Sequence, residues 1–217
     1  MDTFEDSKIT DVAILGYGGN CFDVADAIEA INSKSQKYRL AGFFDDSDNK
    51  KINDKYPPIL GKINDAQHFK DLCFVNAIGS TRSFKLKEEI IKRSGINNER
   101  FISIIHPRAV VSPSATIKNG TVILAGVNIG PSVAIGHHVM ILQNSVIGHD
   151  SIIGDYSIIA AGAVINGNVT VKPSVFIGAK SVVLENRTLE SNSLLGAGAV
   201  LTKDLSKDAI AKGNPAK

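Results

Sequence analysis

Three places in this 217-residue sequence bring together side chains able to do chemistry. The first is His149, followed directly by Asp150 in Asn144-Ser145-Val146-Ile147-Gly148-His149-Asp150. An imidazole near its ordinary pKa of about 6.5 accepts a proton at neutral pH, and an adjacent carboxylate orients it and stabilises its charged form. That pair has the makings of a general base with its helper; the alternative is a solvated histidine. The second place is Gly16-Tyr17-Gly18-Gly19-Asn20, set between an apolar run, Val12 to Leu15, and a helical pattern through Val24, Ala25, Ile28 and Ile31. Strand, glycine turn and helix together let backbone N–H groups approach a phosphate. The third is Gly79-Ser80-Thr81, a glycine turn closing another apolar run that begins at Cys73. Between them, Asp45-Asp46 ends the run Arg39 to Phe44, where a carboxylate is placed for ribose hydroxyls or a base edge. The glycines could equally do no more than make tight turns. A dinucleotide fingerprint is disfavoured, because its third glycine would fall at Cys21.

The elements that must hold these residues differ in kind. Residues 109–204 divide into sixteen consecutive blocks of six, each with an aliphatic third residue, from Val111 through Ile129, Ile147 and Ile165 to Leu201. The first place is mostly small or β-branched, and Gly recurs at the fourth as Gly130, Gly136, Gly148, Gly154, Gly178 and Gly196, a pattern that predicts short flat strands and tight corners. A period of six suits a solenoid of short parallel strands, three blocks to a coil, and so five coils and one further side. Each buried aliphatic is worth roughly 1.5–3 kcal/mol, so the ladder needs no large aromatic core, in keeping with a sequence that has no Trp. One coil is eighteen residues, which sets Gly167 beside His149 and puts His137, twelve residues earlier, at a different corner. Ahead of the repeat, a small parallel α/β sheet is expected: strands at Asp11–Leu15, Arg39–Phe44, Cys73–Ile78 and Phe101–Ile104, a Pro-rich turn at Pro57-Pro58, and helices near Asp65–Phe69 and Phe84–Ser94. The join is Ile105-His106-Pro107, giving domains 1–104 and 105–217.

Composition narrows the classes. Lys plus Arg exceeds Asp plus Glu by two, with the charges scattered, so neither nucleic acid nor an anionic membrane is indicated. The N-terminus is acidic without an apolar run, and no stretch approaches a membrane span. Two cysteines, Cys21 and Cys73, are too few for a disulfide framework, so a cytoplasmic location is expected. Both lie outside the repeat, which disfavours a covalent thiol intermediate there.

The repeat resembles the hexapeptide-repeat acyltransferases, and repeat and N-terminal sheet together resemble the NeuD/PglD-like sugar O-/N-acyltransferases over nearly the whole chain. The resemblance implies a Rossmann-like domain followed by a left-handed parallel β-helix, a handedness opposite to the usual crossover preference. It implies a homotrimer with active sites between subunits, acetyl-CoA as co-substrate and no metal. The acceptor would be a nucleotide-linked amino sugar of the UDP-4-amino-4,6-dideoxy type, attacked directly with His149 as base and Asp150 as its helper. The Gly167 N–H would receive the thioester carbonyl, and Ala179, Gly196, Ala197, Pro215 and Lys217 would line the acetyl-CoA groove. Gly16, Gly18, Gly19, Asn20, Asp45, Asp46, Gly79 and Ser80 would hold the nucleotide sugar. Two positions depart from the family pattern: Asn20 and Ile158 stand where many members have His. A sialic-acid-type O-acetyltransferase is the near alternative. A γ-carbonic-anhydrase-like metalloenzyme using His137, His138 and His149, and a non-catalytic trimeric scaffold, are the others.

Overall fold

The computed structural model describes residues 9–48 and 53–217. Its N-terminal part is a parallel sheet of β1 (Thr10–Leu15), β2 (Tyr38–Phe44), β3 (Ile59–Gly61) and β4 (Cys73–Asn76) in the order β3-β2-β1-β4. Helix α1 (Gly19–Asn32) follows β1, and a 3₁₀ turn at Phe84–Leu86 runs into α2 (Lys87–Arg93). Val12, Ile14, Phe43 and Val75 face the α1 side, whereas Ala13, Leu15, Phe44 and Phe74 face the α2 side, as the two-residue period of a buried strand requires. The sequence pattern placed only a turn at Pro57-Pro58. The chain turns there and then adds β3 as an edge strand, too short for alternation to reveal.

The expected last strand of this sheet is divided between two structures. Phe101 makes one parallel bridge to Phe74, whereas Ile104 pairs with Val122 and so opens the first coil of the solenoid. From there, two-residue strands recur every six residues and stack eighteen apart, Ile147 on Ile165 and Ile165 on Val183. They form a three-sided prism whose first, second and third faces hold seven, six and five strands. The third-place aliphatics fill its interior. Hydroxyls at the first place have a purpose the pattern did not disclose. Ser145, Ser151 and Ser157 donate to the carbonyls of Ala160, Asn166 and Lys172 at 3.0–3.1 Å, satisfying buried backbone between coils.

The corners correct one expectation. The left-handed conformation lies at the sixth place, not at the glycine-rich fourth: Asn144, Asp150, Tyr156 and Asn168 have φ of 60°, 58°, 63° and 57°. The fourth-place glycines serve close stacking instead. A Cβ on Gly154 would sit 2.6 Å from the backbone of Lys172 and Pro173 in the next coil. The eighteen-residue register also ends before the chain does, since Leu195 pairs with Ala211, only sixteen residues on.

The N-terminal sheet is packed against the first face. The outward second-place residues there are Ile104, Val122, Met140 and Ile158, all 1% exposed or less and in one apolar cluster with α1 and β1. Gln143 adds a hydrogen bond of 2.9 Å to Asp23 of α1, whose burial raises its pKa. The equivalent side chains on the other faces stay open, Val146 at 40% and Ile152 at 51%.

Candidate active site

At the C-terminal ends of β1, β2 and β4, a pocket of about 380 Å³ is lined by Gly16, Tyr17, Gly18, Gly19, Asn20, Asp45, Gly79, Ser80 and Ser83. Gly16 has φ of 98°, which only glycine adopts without strain. It turns the chain into α1, whose N-cap Gly18 gives no side-chain cap and whose first turn has no acidic residue, leaving the positive helix end open to an anion. Asn20 donates its amide to the Gly79 carbonyl at 2.7 Å and so ties the two glycine turns together. The Asp45 carboxylate accepts the N–H groups of Tyr17 at 2.7 Å and Ser47 at 2.9 Å. Asp46 is placed elsewhere: it pairs with Arg93 of α2 and accepts the Ile63 N–H at 3.0 Å, so it braces the sheet rather than lining the pocket. A neighbouring cavity of about 360 Å³ shares Asp45 and adds Ser47, Ile59, Gly61 and Lys62, residues the sequence reading passed over because β3 was not foreseen.

On the prism, the His149 Nδ1 lies 2.7 Å from Asp150, with both side chains more than half exposed. The positive φ of Asp150 turns its carboxylate back onto the ring of its neighbour. Gly167 is directly alongside: a Cβ there would lie 2.5 Å from His149 Nε2. Its N–H has no partner among the described residues, so imidazole and open donor stand side by side. This pair occupies the edge between the second and third faces, the edge opposite the face covered by the N-terminal sheet.

The other histidines do not join it. His137 and His138 stand at the edge between the third and first faces, where Asn98 contacts both, at 3.1 and 2.9 Å. His138 is buried against Tyr156 in a stacked pair, and burial pushes its pKa down to about 4. Beside it, the fully buried Lys87 amine has no hydrogen-bond partner among the described residues, and burial lowers its pKa to about 7. Among the described residues no group of three or more His, Cys, Asp or Glu is arranged to hold a metal ion.

A third cavity, apolar and about 480 Å³, runs along the edge between the first and second faces, lined by Ala160, Phe176, Gly178, Ala179, Gly196, Ala197, Lys212 and, from the N-terminal part, Thr81. It gathers Ala179, Gly196 and Ala197 as expected positions along one groove. Pro215 and Lys217 line a different cavity at the end of the prism. The cation in the groove is Lys212, whose side chain lies against Gly196 because the last coil is two residues short.

Fold and site define a left-handed hexapeptide-repeat β-helix of the acyltransferase class. Residues 11–93 match the model of the PglD N-terminal domain, and residues 102–200 that of the GMPPB C-terminal domain. Among solved structures, a mutant of perosamine N-acetyltransferase from Caulobacter crescentus, in complex with CoA and GDP-perosamine, is 25% identical over 97% of each chain, with a TM-score of 0.83. The acetyltransferase domain of PglB from Neisseria gonorrhoeae, in complex with acetyl coenzyme A, is 26% identical over 97% of this chain and 99% of that one, with a TM-score of 0.83. WeeI from Acinetobacter baumannii shares the fold at 21% identity, 96% and 99% coverage and a TM-score of 0.78. No curated protein matches in sequence. The chain is an acetyltransferase, and it resembles the NeuD/PglD-like sugar acyltransferases in its N-terminal domain and in its overall structure.

Proposed function

We propose that this protein transfers acetyl from acetyl-CoA to the amino group of a nucleotide-linked amino sugar. The observation that carries the reading is the loop after β4: Gly79, Ser80 and Ser83 line the glycine-turn pocket, and Thr81 of the same loop lines the apolar groove. A nucleotide diphosphate suits the glycine turns and the open helix end of the first, and a pantetheine arm suits the second, with Lys212 for its phosphates. The N-terminal sheet thus holds the acceptor, and the prism the donor and the chemistry. The relatives bound to CoA with GDP-perosamine, and to acetyl coenzyme A, are in keeping with this division.

The base comes from a second copy. Within one chain His149 stands on the edge opposite the covered face, whereas the groove runs along the edge beside that face. Val146 and Ile152, exposed on either side of His149, give that edge an apolar surface for a neighbouring prism. A closed threefold ring satisfies every copy equally. In the reaction the uncharged amine attacks the thioester carbon, and the carbonyl oxygen gathers negative charge against the Gly167 N–H. The C–N bond forms, the C–S bond breaks and CoA leaves as thiolate. His149 Nε2 takes the proton shed by nitrogen, Asp150 steadying the imidazolium through Nδ1.

The test is acetyl-CoA with a panel of UDP-, GDP- and dTDP-linked amino sugars and a thiol reagent. CoA release with at least one sugar is expected, and silence across the panel would sink the proposal. Replacing His149 by Ala should lower turnover by roughly 10²–10⁴-fold with an unchanged thermal melt; full activity in that variant would remove His149 from the mechanism.

A further inference from the structure

Gly79 is held from two sides. Its carbonyl accepts the Asn20 amide at 2.7 Å. From the prism, Ile158 and Met140 press against its Cα: a Cβ there would lie 2.7 Å from Ile158 Cδ1 and 3.3 Å from Met140 Sδ. Its φ is not left-handed, so backbone conformation does not explain the glycine. What requires it is the close seating on the prism. Met140 and Ile158 are partners in register on the covered face, each 1% exposed or less. The next rung is Phe176, which meets Phe84 at 5.8 Å between ring centres, at the far end of the same loop.

This ridge therefore underlies a loop with the glycine-turn pocket on one side and the apolar groove on the other. We propose that Ile158 is a positioning residue for the acceptor: its Cδ1 sets the height of the Gly79 turn, and through that turn the place of the nucleotide in its pocket. The inference rests on the nucleotide-sugar reading above. It assigns the prism a part in acceptor binding through a buried residue of its covered face.

The geometry supplies a rescue experiment. Gly79→Ala introduces a Cβ against Ile158 Cδ1, and Ile158→Val removes that one atom, leaving contacts no closer than 3.3 Å. Calorimetric titration with UDP and GDP should find the better ligand bound about tenfold more weakly by Gly79→Ala, and restored to within about threefold by Gly79→Ala with Ile158→Val. Acetyl-CoA affinity should stay within about twofold throughout, a separation that general loosening of the fold would not give. If Gly79→Ala does not fold, Ile158→Ala in the otherwise native chain replaces it; the void beneath the turn should again weaken the nucleotide about tenfold and spare acetyl-CoA. Native-like nucleotide binding by Gly79→Ala, or equal losses in Gly79→Ala and the double variant, would overturn the inference and leave the proposed function standing. A native protein that binds acetyl-CoA but no nucleoside diphosphate would overturn both.

Discussion

Lys87 offers a direct test of how the N-terminal sheet and the prism fit together. Its amine is fully buried without a hydrogen-bond partner among the described residues, and burial lowers its pKa from 10.5 to about 7. The unfolded chain holds this proton up to pH 10.5, whereas the folded protein holds it only up to about 7. Folding between those pH values therefore expels a proton, and native stability rises as pH rises through the window. At pH 7 the burden is about 4 kcal/mol. The neighbouring His138, with a pKa near 4, is neutral in the folded protein throughout this window, and the small slope it adds near pH 7 is common to both proteins compared below. Lys87→Met keeps an unbranched apolar stem without the charge, and it should gain about 2–4 kcal/mol at pH 7, raising Tm by roughly 5–15 °C. Thermal melts of both proteins at pH 7, 8, 9 and 10 should show that gap closing as pH rises. A gap that is constant with pH, or a variant less stable at pH 7, would refute the reasoning.

Gly167→Ala sets a Cβ 2.5 Å from the Nε2 of His149, so it should lower kcat by about 10²-fold without altering nucleotide affinity in the same titration as above. Lys212→Ala should raise KM for acetyl-CoA by about tenfold with kcat nearly unchanged, whereas Lys217→Ala, outside the groove, should do neither in steady-state assays. Gly154→Ala drives a Cβ into the backbone of Lys172 and Pro173 and should cost about 3 kcal/mol in the denaturant midpoint.

The prism was legible because one interior position admits only aliphatics: a phase held by Ile147, Ile153 and Ile159 needs no partner to interpret it. The pairing of His149 with Gly167 followed from the same count. Other features depend on what packs outside. Met140, Ile158 and Phe176 repeat every eighteen residues at the second place, a signal for a covered face that reads as ordinary strand composition until the sheet lies over it. Ile158 marked a departure from the family pattern, and its surroundings give the physical context, a dry contact against Gly79. Asp46 and Asp45 are adjacent carboxylates that only tertiary partners distinguish, Arg93 drawing one away. The burial of Lys87 was not legible, since a short Lys- and Glu-rich helix gives no sign of which cation points inward. Lys217 was implied by the resemblance of the chain's ending to the family pattern, whereas Lys212 reaches the groove through a contraction of the last coil that the constant period does not announce.

A chain that stacks every eighteenth residue and turns a corner every sixth does arithmetic modulo eighteen. Inserting eighteen residues between the Ile104–Ile105 strand and Val146 would lengthen the prism by one storey and return every later side chain to its own face. Inserting six would act as a frameshift in space, turning everything downstream by one side of the triangle. His149 would then take the place of Asp155, on the edge it shares with His137, rather than an open flank. Length variation in this half of the molecule is thus tolerated in quanta, and the quantum that preserves an assembly differs from the one that merely preserves the fold.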